Sequence, residues 1–168
     1  MVDRVHTDTM VPVDSIRIRP ARPSDLDQLA ALCEALWPES SAAEHAQELR
    51  LIFGDKAAVV LTTPLVIFVA EANAGTLVGF LQVDLRSHAD GCNPSRPVGY
   101  IEGWYVTEDH RHCGVGRMLL AKAEGWARGH RCLEMASDVL IDNELSQRVH
   151  EALGYEVVDR CVHYRKQL

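Results

Sequence analysis

The chain has no apolar run of bilayer-spanning length, no stretch rich enough in Pro, Gly or Ser to act as a linker, and no surplus of positive charge. A membrane-spanning helix needs about 20 consecutive apolar residues, and runs such as Leu65–Ala70 fall far short of that. The first 14 residues carry Asp3, Arg4, Asp8 and Asp14, so no signal peptide is expected there and a cytoplasmic protein is expected. With 17 Lys and Arg against 24 Asp and Glu, the formal charge is -7. That balance argues against a nucleic-acid partner and favours cationic ligands. The five cysteines, Cys33, Cys92, Cys113, Cys132 and Cys161, have neither Cys-x-x-Cys nor zinc-type Cys/His spacing. They are expected to be reduced thiols, and no metal is expected. Neither an internal repeat nor a low-complexity tract is present.

What is there suits one domain. A length of 168 residues with 47% hydrophobic content is enough for a single sizeable core. Residues 1–15 are expected to be a disordered extension and residues 16–168 one α/β domain. Ile16–Arg19 reads as a short strand, and Ser24 as the cap of a helix in which Leu26, Leu29, Leu32, Cys33 and Leu36 recur until Pro38. A second helix is expected over Ala43–Ile52. The apolar runs Leu65–Ala70 and Leu77–Val83, separated by Asn73-Ala74-Gly75, predict an antiparallel hairpin. Ser87–Pro97 reads as a long loop of the kind that borders binding sites. Val98–Val106 predicts a central strand, a helix follows from Val115 to about Gly129, and Cys132–Ala136 predicts a strand. Asn143–Leu153 reads as a helix closed by Gly154, and Tyr155–Tyr164 as a final strand.

Between the central strand and the third helix lies Arg111-His112-Cys113-Gly114-Val115-Gly116. Two glycines allow a tight turn and close approach of an anion to the backbone, while the first turn of a helix offers unpaired N–H groups and a partial positive charge. The segment therefore reads as a pyrophosphate cradle. A glycine-rich turn that only caps a helix is the competing reading.

In this setting Arg-x-x-Gly-x-Gly resembles the acyl-CoA loop of the GNAT superfamily of N-acetyltransferases, and the likeness in element order runs from Ile16 to the C-terminus. A narrower set of blocks resembles the aminoglycoside 6'-N-acetyltransferases: Leu36-Trp37-Pro38, Asp90-Gly91-Cys92, Glu102-Gly103-Trp104-Tyr105-Val106, Glu134-Met135-Ala136-Ser137-Asp138, the run from Asn143 to Gly154, and Tyr164-Arg165-Lys166. The resemblance implies a single GNAT-like domain: a mixed, mostly antiparallel sheet with a splayed central strand pair, flanked by four helices. It also implies acetyl-CoA as co-substrate, a cationic aminoglycoside as acceptor, and a homodimer. Acetylation of another amine, or a non-catalytic acyl-CoA sensor, are the alternatives.

The same resemblance assigns residues. Backbone groups of Trp104, Tyr105 and Val106 are expected to pair with the pantetheine arm, with Gly103 suited to a bulge. The amides of Cys113, Gly114, Val115, Gly116, Arg117 and Met118, with the charge of Arg111, are expected at the pyrophosphate. Asn143 is expected to bond the pantetheine chain or to cap its helix. His150 stands where many relatives have a tyrosine that protonates the leaving thiolate; it is either an acid, since imidazole changes charge near neutrality, or a packing side chain. On the acceptor side the implied residues are Trp37, His88, Asp90, Glu102, Asp138 and Asp159, with Asp159 reaching a pocket only across a subunit boundary. Glu102 is the candidate general base. Carboxylates at strand ends that merely face water are the alternative for Glu102 and Asp138.

Overall fold

The computed structural model describes residues 16–54 and 63–167, so the expected N-terminal extension lies outside the described residues. Five strands align in chain order in one sheet: β1 (Arg17–Pro20), β2 (Leu65–Glu71), β3 (Leu77–Arg86), β4 (Val98–Val106) and β5 (Met135–Ser137). Neighbours are antiparallel except β5, which runs parallel to β4. A parallel neighbour requires a crossover, and a helix, α3 (Val115–Gly129), provides it. The other helices are α1 (Leu26–Leu36), α2 (Ala42–Phe53) and α4 (Glu144–Ala152).

The sheet separates two apolar cores. On one face Leu29 and Leu32 of α1 and Leu49 of α2 pack with Ile67, Val69 and Phe80. On the other, Val115, Leu119 and Ala123 of α3 pack with Phe68, Leu81, Val83 and Ile101. Strand alternation explains the division, because successive side chains leave a strand on opposite faces.

One irregularity places the functional side chains. Between β3 and β4, Val83 pairs with Ile101 and Gln82 pairs with Gly103, which leaves Glu102 as an extra residue. A bulge of this kind breaks the alternation. Ile101 and Trp104, three positions apart, consequently both point toward α3, while Glu102 and Gly103 both face the α1/α2 side. Gly103 is expected at the bulge; the unpaired residue is its neighbour Glu102, and Gly103 is needed because a Cβ there would run into the Trp37 ring. The second irregularity is the splay. The β4–β5 pairing covers only Gly99–Ile101, so from Glu102 onward β4 has no neighbour on that side among the described residues.

Three expectations are corrected. Ser24 does not cap α1, because it lies inside a short 3-10 turn, Pro23–Asp25. The adjacent Asp25 carboxylate instead accepts two hydrogen bonds from the buried Arg19 guanidinium, at 2.6 and 2.9 Å. The strand expected over Cys132–Ala136 starts later, since the tail of α3 holds the chain: the Cys132 N–H donates to the Ala127 carbonyl at 3.1 Å. The last expected strand is absent. Residues 155–167 have no regular structure, and Val157, Val158, Val162 and Tyr164 are exposed. A strand persists only when its backbone groups are paired, and among the described residues no strand lies alongside this segment.

Candidate active site

On the α1/α2 face, polar side chains replace apolar ones along β3 away from the splayed end, toward the stretch where β4 pairs with β5. Phe80, Gln82, Asp84 and Arg86 follow one another at every second position of β3, and Tyr100 and Glu102 oppose them on β4. Arg86 donates to Glu102 Oε1 at 2.5 Å, and its guanidinium carbon lies 3.3 Å from the centre of the Tyr100 ring. The Tyr100 hydroxyl in turn donates to Asp138 at 2.8 Å. β3, β4 and the residue after β5 thus contribute to one charged network containing Asp84, Glu102 and Asp138. Its environment is unusual for carboxylates: burial first, and then the charge of Glu102, pushes Asp84 up to about 6. Burial first, and then its bond to Asp138, pushes the Tyr100 hydroxyl up to about 12.

Glu102 also lines a cavity of about 180 Å³ between the sheet and the first two helices, with Trp37, His45, Glu48 and Gln82 among its other walls. Trp37 ends α1, where it packs 5.9 Å from His45 and 6.0 Å from Phe80. His45 fixes that corner through a 3.2 Å contact with the Trp37 carbonyl. A cavity with an aromatic wall and an anionic floor fits an amine-bearing ligand with a ring body.

The glycine loop lies past the end of β4. Gly114, at φ +83, forms the N-cap of α3, and a Cβ there would meet nothing within 4 Å. Gly116 is different: its Cβ would press on the Trp104 ring at 3.1 Å, so the helix start sits directly on that indole. The first-turn N–H groups of Val115, Gly116 and Arg117 have no helical acceptors. The Met118 N–H donates to the Gly114 carbonyl at 3.0 Å and so makes the first helical bond. Arg111 donates from Nε to the Val106 carbonyl at 3.0 Å, which ties the loop to the end of β4. An open bend with several free amides and a positive helix end is suited to a phosphate-bearing group.

His150 occupies the opposite sheet face from Glu102. Its Nδ1 donates to the Ser146 carbonyl at 2.8 Å, which leaves Nε2 toward the Ser137 hydroxyl at 3.2 Å. Trp104 and Tyr155 meet the ring edge-to-face at 5.5 and 5.2 Å. Asn143 caps α4 by accepting the Ser146 N–H at 3.1 Å.

The structure brings Trp37, Glu102 and Asp138 to one face, and Trp104, Gly116 and His150 to the other. His88 and Asp90 pair with each other at 3.6 Å in the exposed β3–β4 loop, and among the described residues no hydrogen bond or ion pair links them to Glu102. Asp159 is exposed and accepts the N–H of its own neighbour Arg160 at 2.6 Å. Sequence reasoning missed Asp84, Arg86, Tyr100 and Ser137. Alternation along β3 was a usable signal, since it puts Asp84 and Arg86 on the same face as Phe80.

Comparison with known proteins agrees with this geometry. Residues 29–155 match the model of the acetyltransferase (GNAT) family. The chain is 36% identical over 152 residues to an aminoglycoside N(6')-acetyltransferase type 1 of Klebsiella aerogenes, covering 90% of this chain and 96% of that one. It is 39% identical to the Serratia marcescens protein of the same name, covering 86% of this chain and 94% of that one. Among solved structures, AAC(6')-Iy in complex with the bisubstrate analogue CoA-S-monomethyl-acetylneamine superposes with a TM-score of 0.77 at 33% identity, over 91% of this chain and 99% of that one. A strand pair opened beyond Ile101, a glycine bend at the head of α3 and a family match spanning both place this chain in the GNAT family of acetyltransferases.

Proposed function

We propose that this chain is an aminoglycoside 6'-N-acetyltransferase, which moves the acetyl group of acetyl-CoA to a primary amine by direct attack in a ternary complex. The observation that carries the reading is the division at the end of β5. Ser137 turns to His150 on one sheet face, while the next residue, Asp138, turns to Tyr100 on the other, beside Glu102. A thioester lying in the β4–β5 gap has a hydrogen-bonding face behind it and an anionic face before it. The names of the relatives, and the bisubstrate ligand of AAC(6')-Iy, support the same pairing of donor and acceptor.

In this reading the amides from Cys113 to Arg117 hold the pyrophosphate, with Arg111 adding charge and Met118 closing the turn behind them. The unpaired edge of Trp104, Tyr105 and Val106 meets the pantetheine arm, and the side-chain amide of Asn143 keeps its N–H groups free for the same arm. Glu102 and Asp138 attract the ammonium, and Trp37 supports the sugar ring. Glu102 removes a proton so that a neutral amine attacks the thioester carbonyl. Holding two reactants in line supplies a large part of the rate in such a transfer. The thiolate then takes a proton, for which His150 is the candidate donor. His88 and Asp90 stand at the mouth of the site, and Asp159 contributes only from a second copy whose exposed C-terminal segment pairs across a two-fold axis. A cytoplasmic homodimer, with residues 16–168 as one acetyltransferase domain, completes the proposal; a sedimentation mass of a single chain contradicts the dimer.

Thiol release from acetyl-CoA with tobramycin or kanamycin tests the activity, alongside a polyamine and an amino acid. Turnover restricted to the aminoglycosides supports the reading. Faster turnover of the other amines replaces the acceptor, and coenzyme A binding without turnover replaces the enzyme by a sensor. Glu102→Gln is expected to lower kcat/KM roughly a hundredfold, with the greatest loss at low pH, as loss of a general base does. A change confined to KM makes Glu102 a binding residue.

A further inference from the structure

The acceptor wall contains a carboxyl with an oxygen left out of the hydrogen-bond network. Asp84 Oδ1 is buried and, among the described residues, has no hydrogen-bond partner. Its nearest cation, Arg86, is committed elsewhere: Nε stands 3.9 Å from Asp84, while the guanidinium donates to Glu102 and lies on Tyr100. One cation therefore serves two carboxyl groups on adjacent strands. The other titratable groups around them are Tyr100 on β4, Asp138 just after β5, and Cys33 of α1 with His45 and Glu48 of α2 across the cavity.

Two carboxylates in a partly buried site with a single guanidinium cannot both carry full charge without cost. The transfer itself liberates a proton: an ammonium and an acetyl thioester yield an amide, a thiol and one H+. We propose that Asp84 is a positioning residue of the acceptor site, sharing with Glu102 the proton taken from the substrate ammonium before that proton leaves to solvent. This rests on the reading that Glu102 faces the amine. Asp84 is suited to the task because its surroundings lift it to about 6, into the range where a proton can be gained and lost near neutrality. No bond to carbon is made or broken at Asp84; it acts only through Glu102.

The experiment is a carboxyl-carbon NMR titration of the full chain without substrate, followed by pH profiles of kcat/KM for tobramycin. In the wild type, Asp84 is expected to titrate at about 6. Glu102→Gln is expected to lower that midpoint by about one pH unit, the effect of removing a neighbouring like charge. Asp84→Asn is expected to move the acid limb of kcat/KM by about one pH unit while changing the alkaline plateau little. An Asp84 that titrates in the ordinary carboxylate range, or ignores Glu102→Gln, overturns the proposal, as does an Asp84→Asn profile parallel to wild type. Should Asp84→Asn fail to fold, the Glu102→Gln titration still decides. Because the titration needs no amine, absent turnover with tobramycin alongside an Asp84 midpoint of about 6 overturns the acceptor reading and not the carboxyl pair.

Discussion

Asp84→Asn probes the acceptor wall through stability, independently of turnover. Burial and the charge of Glu102 raise Asp84 from 3.8 to about 6 in the folded state. A difference of about two units, at about 1.36 kcal/mol each, gives roughly 3 kcal/mol. This is a ceiling, because the side chain retains 18% exposure to solvent. The sign follows from linkage: a folded state that binds the proton more tightly than the unfolded chain is most stabilised below the unfolded value and loses that stabilisation as pH rises through the folded one. Wild type therefore carries an electrostatic burden above about pH 6 that vanishes toward pH 4. Asparagine has no charge to desolvate, so the variant is expected to match wild type near pH 4 and to exceed it by roughly 1–3 kcal/mol at pH 8. Urea unfolding of both proteins across that range measures the difference. A variant less stable than wild type at pH 8, or a gap that does not change with pH, refutes the reasoning.

Other predictions probe the remaining parts. Gly116→Val puts atoms where Trp104 already lies; it should weaken coenzyme A binding by at least about tenfold, roughly 1.4 kcal/mol, in calorimetry, with the helix signal in circular dichroism retained. Gly103→Ala drives a methyl into the Trp37 ring and should cost about 1–3 kcal/mol of stability by overpacking, together with a higher KM for the amine; an unchanged KM removes Trp37 from the acceptor wall. His150→Phe keeps the packing against Trp104 and Tyr155 but deletes both ring nitrogens. If His150 protonates the thiolate, kcat falls by roughly a hundredfold or more, whereas unchanged turnover across neutral pH assigns the ring to packing alone.

Local sequence signals reached far into this molecule and stopped where pairing between distant segments took over. The apolar runs of β2 and β3, the apolar recurrence at helical spacing in α1 and the glycine bend before α3 are properties of short windows, and each appears where the chain pattern places it. The bulge at Glu102 is not such a property. It arises from the register between Gln82–Val83 and Ile101–Gly103, and it is what aims Glu102 and Gly103 at the same side. Arg86 and Tyr100 were hidden for the same reason, since their stacking depends on which residues of β3 and β4 lie opposite. The C-terminal segment misled in the other direction: Val157, Val158 and Val162 have strand-like composition, but composition supplies no neighbouring strand.

The central claim is that the gap beyond Ile101 holds a thioester on one side while the anionic wall holds an amine on the other, both at once. Calorimetric titration of coenzyme A into the protein, followed by tobramycin into the saturated complex, measures that directly. One coenzyme A and then one tobramycin are expected to bind each chain, the second without displacing the first. No heat from coenzyme A, or a saturated complex that refuses the aminoglycoside, contradicts it.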